Sequence, residues 1–229
     1  MNRRDEIEAN LTDVNDQIAS ACLAANRDFN SVTLIVVTKT WPSSDIEILA
    51  ELGVTDVGEN RDQDAKVKHQ ELAHVPLTWH AIGQIQTNKA RSIASWADVV
   101  HSVDRPELVI ALDRVTQDRE KPLETLIQVD LDPSPTDNRG GSSPDQMMEL
   151  AKQISDAKGL KLAGVMAVAP LNLDPDSAFA QLQKYSLQLQ LEYPEASIVS
   201  AGMSQDFKNA IKYGATHLRI GSLVLGHRT

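Results

Sequence analysis

The residue of most chemical interest is a lysine that follows a β-branched run. The segment LIVVTKT places Lys39 just past apolar Leu34, Ile35, Val36 and Val37. At the open end of a strand, partial desolvation would lower its pKa, and a neutral amine attacks carbonyl carbon. A solvated charge is the ordinary alternative for a lysine in such a place. The second residue is Arg219, which closes the run HLR before RIGS. A guanidinium keeps its charge, so at the inner edge of a fold it needs an acceptor. A cofactor ring nitrogen and a structural acid would serve equally well.

Two glycine turns lie near Arg219. In SAGMSQDFKNAI a strand runs through a glycine into a helix, and RIGS turns directly after the last strand. Backbone amides at such turns, helped by a helix N-terminus, bind phosphate. Ser204 could equally be an N-cap, with Asp206 beside it. Asn60 in GEN, His80 in WHAIG and Met166 in GVMAVAP also fall at strand ends. A histidine on an apolar strand is usually a satisfied core residue and a methionine usually packing, so both are pocket lining at best. The sequence has no Cys/His cluster, H-E-x-x-H, Walker loop or G-x-S-x-G, so no metal site and no nucleophile-elbow serine is expected.

These residues need elements to hold them. Short β-branched runs are expected as strands at Val32 to Thr38, Val54 to Gly58, Leu77 to Ile82, Asp98 to Val103, Leu123 to Asp130, Leu160 to Val168, Ser197 to Ala201 and His217 to Ile220. Helical patterns such as SSDIEILAEL, PELVIALDRVTQ and SPDQMMELAKQISDAKG separate them, several opened by Ser, Asp or Pro. Strands alternating with helices in this way predict a single (β/α)8 TIM-type barrel over residues 1–229. An extra helix, Asp5 to Ala25, precedes the first strand, and the tail LVLGHRT follows the last. The early helix is expected to cover the side that a missing last helix would expose. Asp132 to Ser143, DPSPTDNRGGSS, must be a loop, placed after strand five where it could act as a lid or be a plain surface connection.

Composition narrows the partners. The chain has 229 residues, 41% apolar, which suffices for one sizeable core. Its 22 basic and 32 acidic residues give a net charge of −10, which disfavours nucleic acid and anionic membrane as partners. The single cysteine, Cys22, lies in an apolar helical stretch and cannot form an internal disulfide, so it reads as core packing. The charged N-terminus has neither a signal-peptide core nor a membrane span, and a cytoplasmic location is expected.

The ordered strings VTKTWP, GEN, WHAIGQIQTNKAR, SVDR, GVMAVAP, AGMSQD and RIGSLVLG resemble the pyridoxal phosphate homeostasis proteins, relatives of the alanine racemase N-terminal domain. The resemblance spans nearly the whole chain. It implies that Lys39 carries pyridoxal 5′-phosphate (PLP, a vitamin B6 form) as a covalent aldimine and that Arg219 faces the pyridine nitrogen. It also implies that Ser200, Ser204, Gly221 and Ser222 form the phosphate corner, with Asn60, His80, Met166 and Met203 lining the cofactor site. The chain departs from the family at RDQDAK after GEN, at alanine in WHAIG, and at NRGG in the loop after strand five.

Three functions follow as alternatives. The first is a PLP carrier, store or sensor in PLP homeostasis with no established catalytic activity, a monomer that passes the aldehyde to apo-enzymes. The second is a PLP-dependent racemase of weak activity. Racemisation needs a second acid/base across the cofactor, and Tyr185, Tyr193 and Tyr213 are all expected in or beside helices away from the mouth. An arginine on the ring nitrogen also weakens the ring as an electron sink. The third, a class I aldolase, is disfavoured by the resemblance alone.

Overall fold

The computed structural model describes residues 2–132, 140–171 and 173–226. Eight parallel strands close into a barrel: β1 (Thr33–Val37), β2 (Asp56–Glu59), β3 (Thr78–Ala81), β4 (Val99–Val103), β5 (Leu123–Gln128), β6 (Leu160–Met166), β7 (Ile198–Ser200) and β8 (His217–Ile220). Each pairs with its sequence neighbours, and β1 closes the ring on β8. The predicted strands are all present, with ends displaced by at most two residues and β8 matched at both ends. Their near-continuous apolar character follows from burial on both faces, one against helices and one against the barrel interior.

The helices are α1 (Arg3–Ala24), α2 (Ser43–Glu51), α3 (Asp62–Glu71), α4 (Ala90–Ile93), α5 (Pro106–Thr116), α6 (Pro144–Asp156), α7 (Pro175–Glu192), α8 (Phe207–Lys212) and α9 (Ser222–Leu225). Proline opens α5, α6 and α7, where its missing N–H and preset φ cost nothing. Among the described residues, no helix is long and apolar enough to cross a membrane.

The extra helix does what its position suggested. Asn2 and Asp5 cap α1 reciprocally. Its buried stripe, Ile7, Leu11, Val14, Ile18 and Cys22, recurs every three or four residues and packs on α9, α8 and α2. Arg3 donates to Asp45 Oδ2 of α2 at 2.8 Å and to the Leu225 carbonyl at 3.0 Å, and Asn10 donates to the Val224 carbonyl. The segment after β8, expected as a plain tail, instead forms α9. That short turn gives α1 something to grip, so the two together stand in for a full eighth helix.

Candidate functional site

In a parallel barrel the strand C-termini share one face. Lys39 lies two residues past β1, and Asn60 follows β2. The turns Gly202–Ser204 and Gly221–Ser222 follow β7 and β8. The ends of β7, β8 and β1 are adjacent: the Arg219 amide donates to the Gly202 carbonyl at 2.9 Å, and Val36 is level with Ile220. Gly221 runs so close to β1 that a Cβ there would lie 3.0 Å from the Val37 carbonyl oxygen, a tight fit that would press on the strand.

Gly202 adopts φ +89, and a Cβ would meet the Phe207 backbone at 2.9 Å. The turn it makes is closed by Asp206, whose Oδ1 accepts the Met203 amide at 2.6 Å. Ser204 is therefore not the cap of α8. Its Oγ accepts instead from Ser222 Oγ at 3.1 Å, which joins the two turns into one corner. Met203 is exposed at the edge of that corner.

Ser200 has a different place from the one expected of it. It is fully buried, and its hydroxyl is engaged by Arg219 Nη1 at 2.5 Å and His101 Nδ1 at 2.9 Å. Ser200 therefore takes no part in the Ser222–Ser204 contact that joins the two glycine turns. Lys39 also differs from expectation: it is exposed, so partial burial of the amine is not found. Met166 packs inside the barrel with Val99, Leu126 and Ala163, level with Ser200.

Arg219 is buried, and its contacts are a hydroxyl and the Ala167 carbonyl, the latter at 2.9 Å. Among the described residues no carboxylate lies within ion-pair distance of it, which removes the structural ion pair as its explanation. Burial pushes the guanidinium down to about 10, still cationic at neutral pH, with distant Asp206 opposing the shift. A buried cation without an anion is costly, by several kcal/mol on general grounds.

The structure shows a hydrogen-bonded chain below Arg219. Its links are Arg219 to Ser200, Ser200 to His101, His101 Nε2 to His80 Nδ1 at 2.9 Å, and His80 Nε2 to Asp56 Oδ1 at 2.8 Å. Its direction follows from its ends. A guanidinium only donates and a carboxylate only accepts, and the arrangement that runs in one direction between them has the Ser200 hydroxyl donating to His101 Nδ1. His101 then carries its hydrogen on Nε2 and donates to His80, which carries its own on Nε2 and donates to the Asp56 carboxylate.

The charges agree with that direction. Burial, then His80, Arg219 and His217, hold His101 well below the ordinary histidine range, so it is neutral. Burial works to raise the Asp56 carboxyl, but hydrogen bonds from His80 and Thr55 outweigh it and keep it below the usual value. His217, with its ring 6.3 Å from that of His80, is lowered to about 4, chiefly by burial and then by His80. His80 thus has both ring nitrogens occupied and lies within the chain, below the mouth. Asp56, His101 and His217 escaped the sequence reading; the available signal was polar residues in phase with His80 on otherwise apolar strands.

Neighbouring strand ends thus bring together an exposed amine, two glycine turns joined by a serine pair and a buried guanidinium with no carboxylate partner among the described residues. The alanine racemase N-terminal domain family matches residues 15–229. A pyridoxal phosphate homeostasis protein from Mycobacterium leprae is 37% identical over 242 residues, covering 98% of this chain and 93% of the relative. One from Corynebacterium glutamicum is 43% identical over 211 residues, covering 89% and 93%. The solved structure of PipY from Synechococcus elongatus with PLP bound superposes with a TM-score of 0.83 at 32% identity, covering 96% of this chain and all of that one. On this sequence and fold evidence, the chain belongs to the pyridoxal phosphate homeostasis protein family, built on the alanine racemase N-terminal barrel.

Proposed function

We propose that this protein binds pyridoxal 5′-phosphate at the barrel mouth, holds it as a Schiff base on Lys39, and serves in the cytoplasm as a carrier, store or sensor in PLP homeostasis. The observation that carries this reading is Arg219. Among the described residues this buried cation is met only by a hydroxyl and a carbonyl, on the strand next to β1, which leads into Lys39. Arg219 offers its remaining N–H groups to the ring nitrogen, and Ser204, Gly221 and Ser222 take the phosphate. Asn60, Met203 and Met166 line the site, while His80 acts through His101 and Ser200. When bound, the cofactor supplies a reversible aldehyde.

Holding is favoured over turnover by the rest of the molecule. Arg219 stays protonated and does not readily give up its proton, so the ring is a weak electron sink. Tyr185 lies in α7, and Tyr193 and Tyr213 end α7 and α8, all packed on the helical layer. None is placed to serve as a second acid/base at the mouth. Of the expected lid, Asp132 to Ser143, residues 133–139 lie outside the described residues. On its far side, Gly140 and Ser142 are tied to β5 through Gln128.

The test is spectroscopic. Protein loaded with PLP should show a visible band that borohydride bleaches, with one cofactor fixed on the Lys39 peptide and none in Lys39→Ala. A colourless protein that takes up no added PLP would overturn the reading. Carriage is tested separately, by comparing transfer of PLP from the loaded protein and from free PLP to an apo-enzyme; transfer no faster than from free PLP would leave storage or sensing.

A further inference from the structure

We propose that a second pocket, outside the barrel between β2, β3, α3 and α4, binds a free α-amino acid with an aliphatic side chain, with Glu59 accepting its ammonium group. The pocket borders the proposed cofactor site at Asn60, which lines both, but the proposal does not depend on the cofactor reading. Asp56 points into the barrel, where it meets His80, so Glu59, three residues on, faces the opposite side toward the helices. There Lys68 of α3 donates to Glu59 Oε1 at 2.6 Å, and Thr38 Oγ1 donates to the same oxygen at 2.7 Å.

The other oxygen is the anomaly. Glu59 is 1% exposed, and its Oε2 is buried with no hydrogen-bond partner among the described residues. A buried carboxylate oxygen without a donor costs about 1–3 kcal/mol, and native proteins rarely leave one so without a reason. Glu59 lines a cavity of about 500 Å³, a volume suited to a small ligand. Water or a ligand N–H could supply the missing donor, and the rest of the lining distinguishes between them.

Ala81, Ile85, Ile93 and Trp96 give the cavity apolar walls, and the short side chain of Ala81 leaves the space open. Arg105 and Lys89 also line it. Arg105 is held in place by Asp104 and the Ile85 carbonyl, and Lys89 Nζ stands 3.9 Å from Asp62. Each charge at the cavity has its partner, Lys68 for Glu59, Lys89 for Asp62 and Asp104 for Arg105, so the charges balance. Since Lys68 already neutralises Glu59, a bare amine would add an uncompensated charge. A molecule carrying its own carboxylate, met by Arg105 and Lys89, would not. Apolar walls between a carboxylate and two cations describe an aliphatic zwitterion.

Calorimetric titration of full-length Lys39→Ala protein, free of PLP, with L-leucine tests this, because no Schiff base can form and a failure of the cofactor reading cannot interfere. Saturable one-to-one binding is expected, with 4-methylpentanoate and 3-methylbutylamine each weaker by at least about tenfold. Glu59→Gln should weaken leucine by a similar factor. Because that change also strips Lys68 of its charge partner, Ala81→Leu provides a second variant that fills the cavity and should abolish binding. Three outcomes would overturn the proposal. These are no binding at millimolar leucine, which would assign water to Oε2, unchanged affinity in folded Glu59→Gln or Ala81→Leu, or 4-methylpentanoate binding as tightly as leucine.

Discussion

On β1 the amine of Lys39 stands exposed past the strand end, in a turn that carries Thr40 at φ +68. On the neighbouring β8 the guanidinium of Arg219 is buried and fixed, at the head of a chain of five side chains that ends on Asp56. The two sides suit opposite tasks. A reversible tether has to be reached from solvent when cofactor is loaded or surrendered. A ring anchor works best preorganised, and the fold bears the desolvation of a lone cation to keep it so. Stability and binding should therefore respond differently on the two sides.

Acid should separate them most. His101, buried, and His217, half-buried, are neutral on the arginine side, with folded pKa values below the unfolded one. Unfolded histidine binds protons first as pH falls, so stability is full above about 6.5 and is lost below it. For His217, with a folded value of about 4, the loss is about 2 kcal/mol between about pH 7 and pH 5 and about 3 kcal/mol by about pH 4. His101 adds to it. Urea unfolding at a series of pH values measures this slope, and His217→Asn should flatten it. An equal slope in that variant would remove His217 from the acid response.

Arg219→Met comes next. It deletes the charge but keeps the length, so PLP retention should fall between about 10- and 100-fold, the range for a hydrogen bond to a charged group. Stability without cofactor should stay level or rise by about 1–2 kcal/mol, because a lone buried cation has been removed. Equilibrium dialysis of PLP and denaturant unfolding of the apo-protein measure the two separately. If both fall together, Arg219 is a structural residue and the contrast between the two sides fails.

Ser200→Ala cuts the chain in the middle. Arg219 Nη1 and His101 Nδ1 both lose their partner, at a cost of about 2 kcal/mol. With Arg219 no longer pinned, the absorption maximum of bound cofactor should shift, whereas Ser200→Thr, which keeps the hydroxyl, should largely restore it. A spectrum unchanged in Ser200→Ala would show that the chain holds the barrel together without orienting Arg219.

The contrast also explains what could be seen in the sequence. Lys39, Asn60, Gly202, Gly221 and Arg219 were visible because each follows or ends a β-branched run, and strand ends in a parallel barrel share one face. The interior chain was not. His101 and Ser200 are 99 residues apart and meet only because the barrel closes. His80, taken alone, looked like an ordinary core histidine; its role is defined by Asp56 and His101, which no local pattern ties to it. Ser200 was misplaced for the same reason, since a serine at a strand end beside a glycine turn looks like a phosphate contact until its inward neighbours are known. The cavity at Glu59 was equally hidden, because GEN draws attention to Asn60 while the carboxylate before it faces the helices.

Thr40 gives the smallest effect and the cleanest test of the lysine side. A β-branched residue at φ +68 is strained, by about 1–2 kcal/mol, because its Cβ crowds the following carbonyl. The Trp41 amide donating to the Thr38 carbonyl at 3.1 Å holds the turn in that shape. Asparagine tolerates the left-handed region, so Thr40→Asn should gain about 0.5–1 kcal/mol, read as a modest rise in melting temperature. The turn keeps its shape in the variant and Lys39 is already exposed, so PLP uptake should not change. A rise in stability with slower or weaker uptake would mean that the strain itself aims the amine. In that case the lysine side, too, holds its working geometry at the expense of the fold.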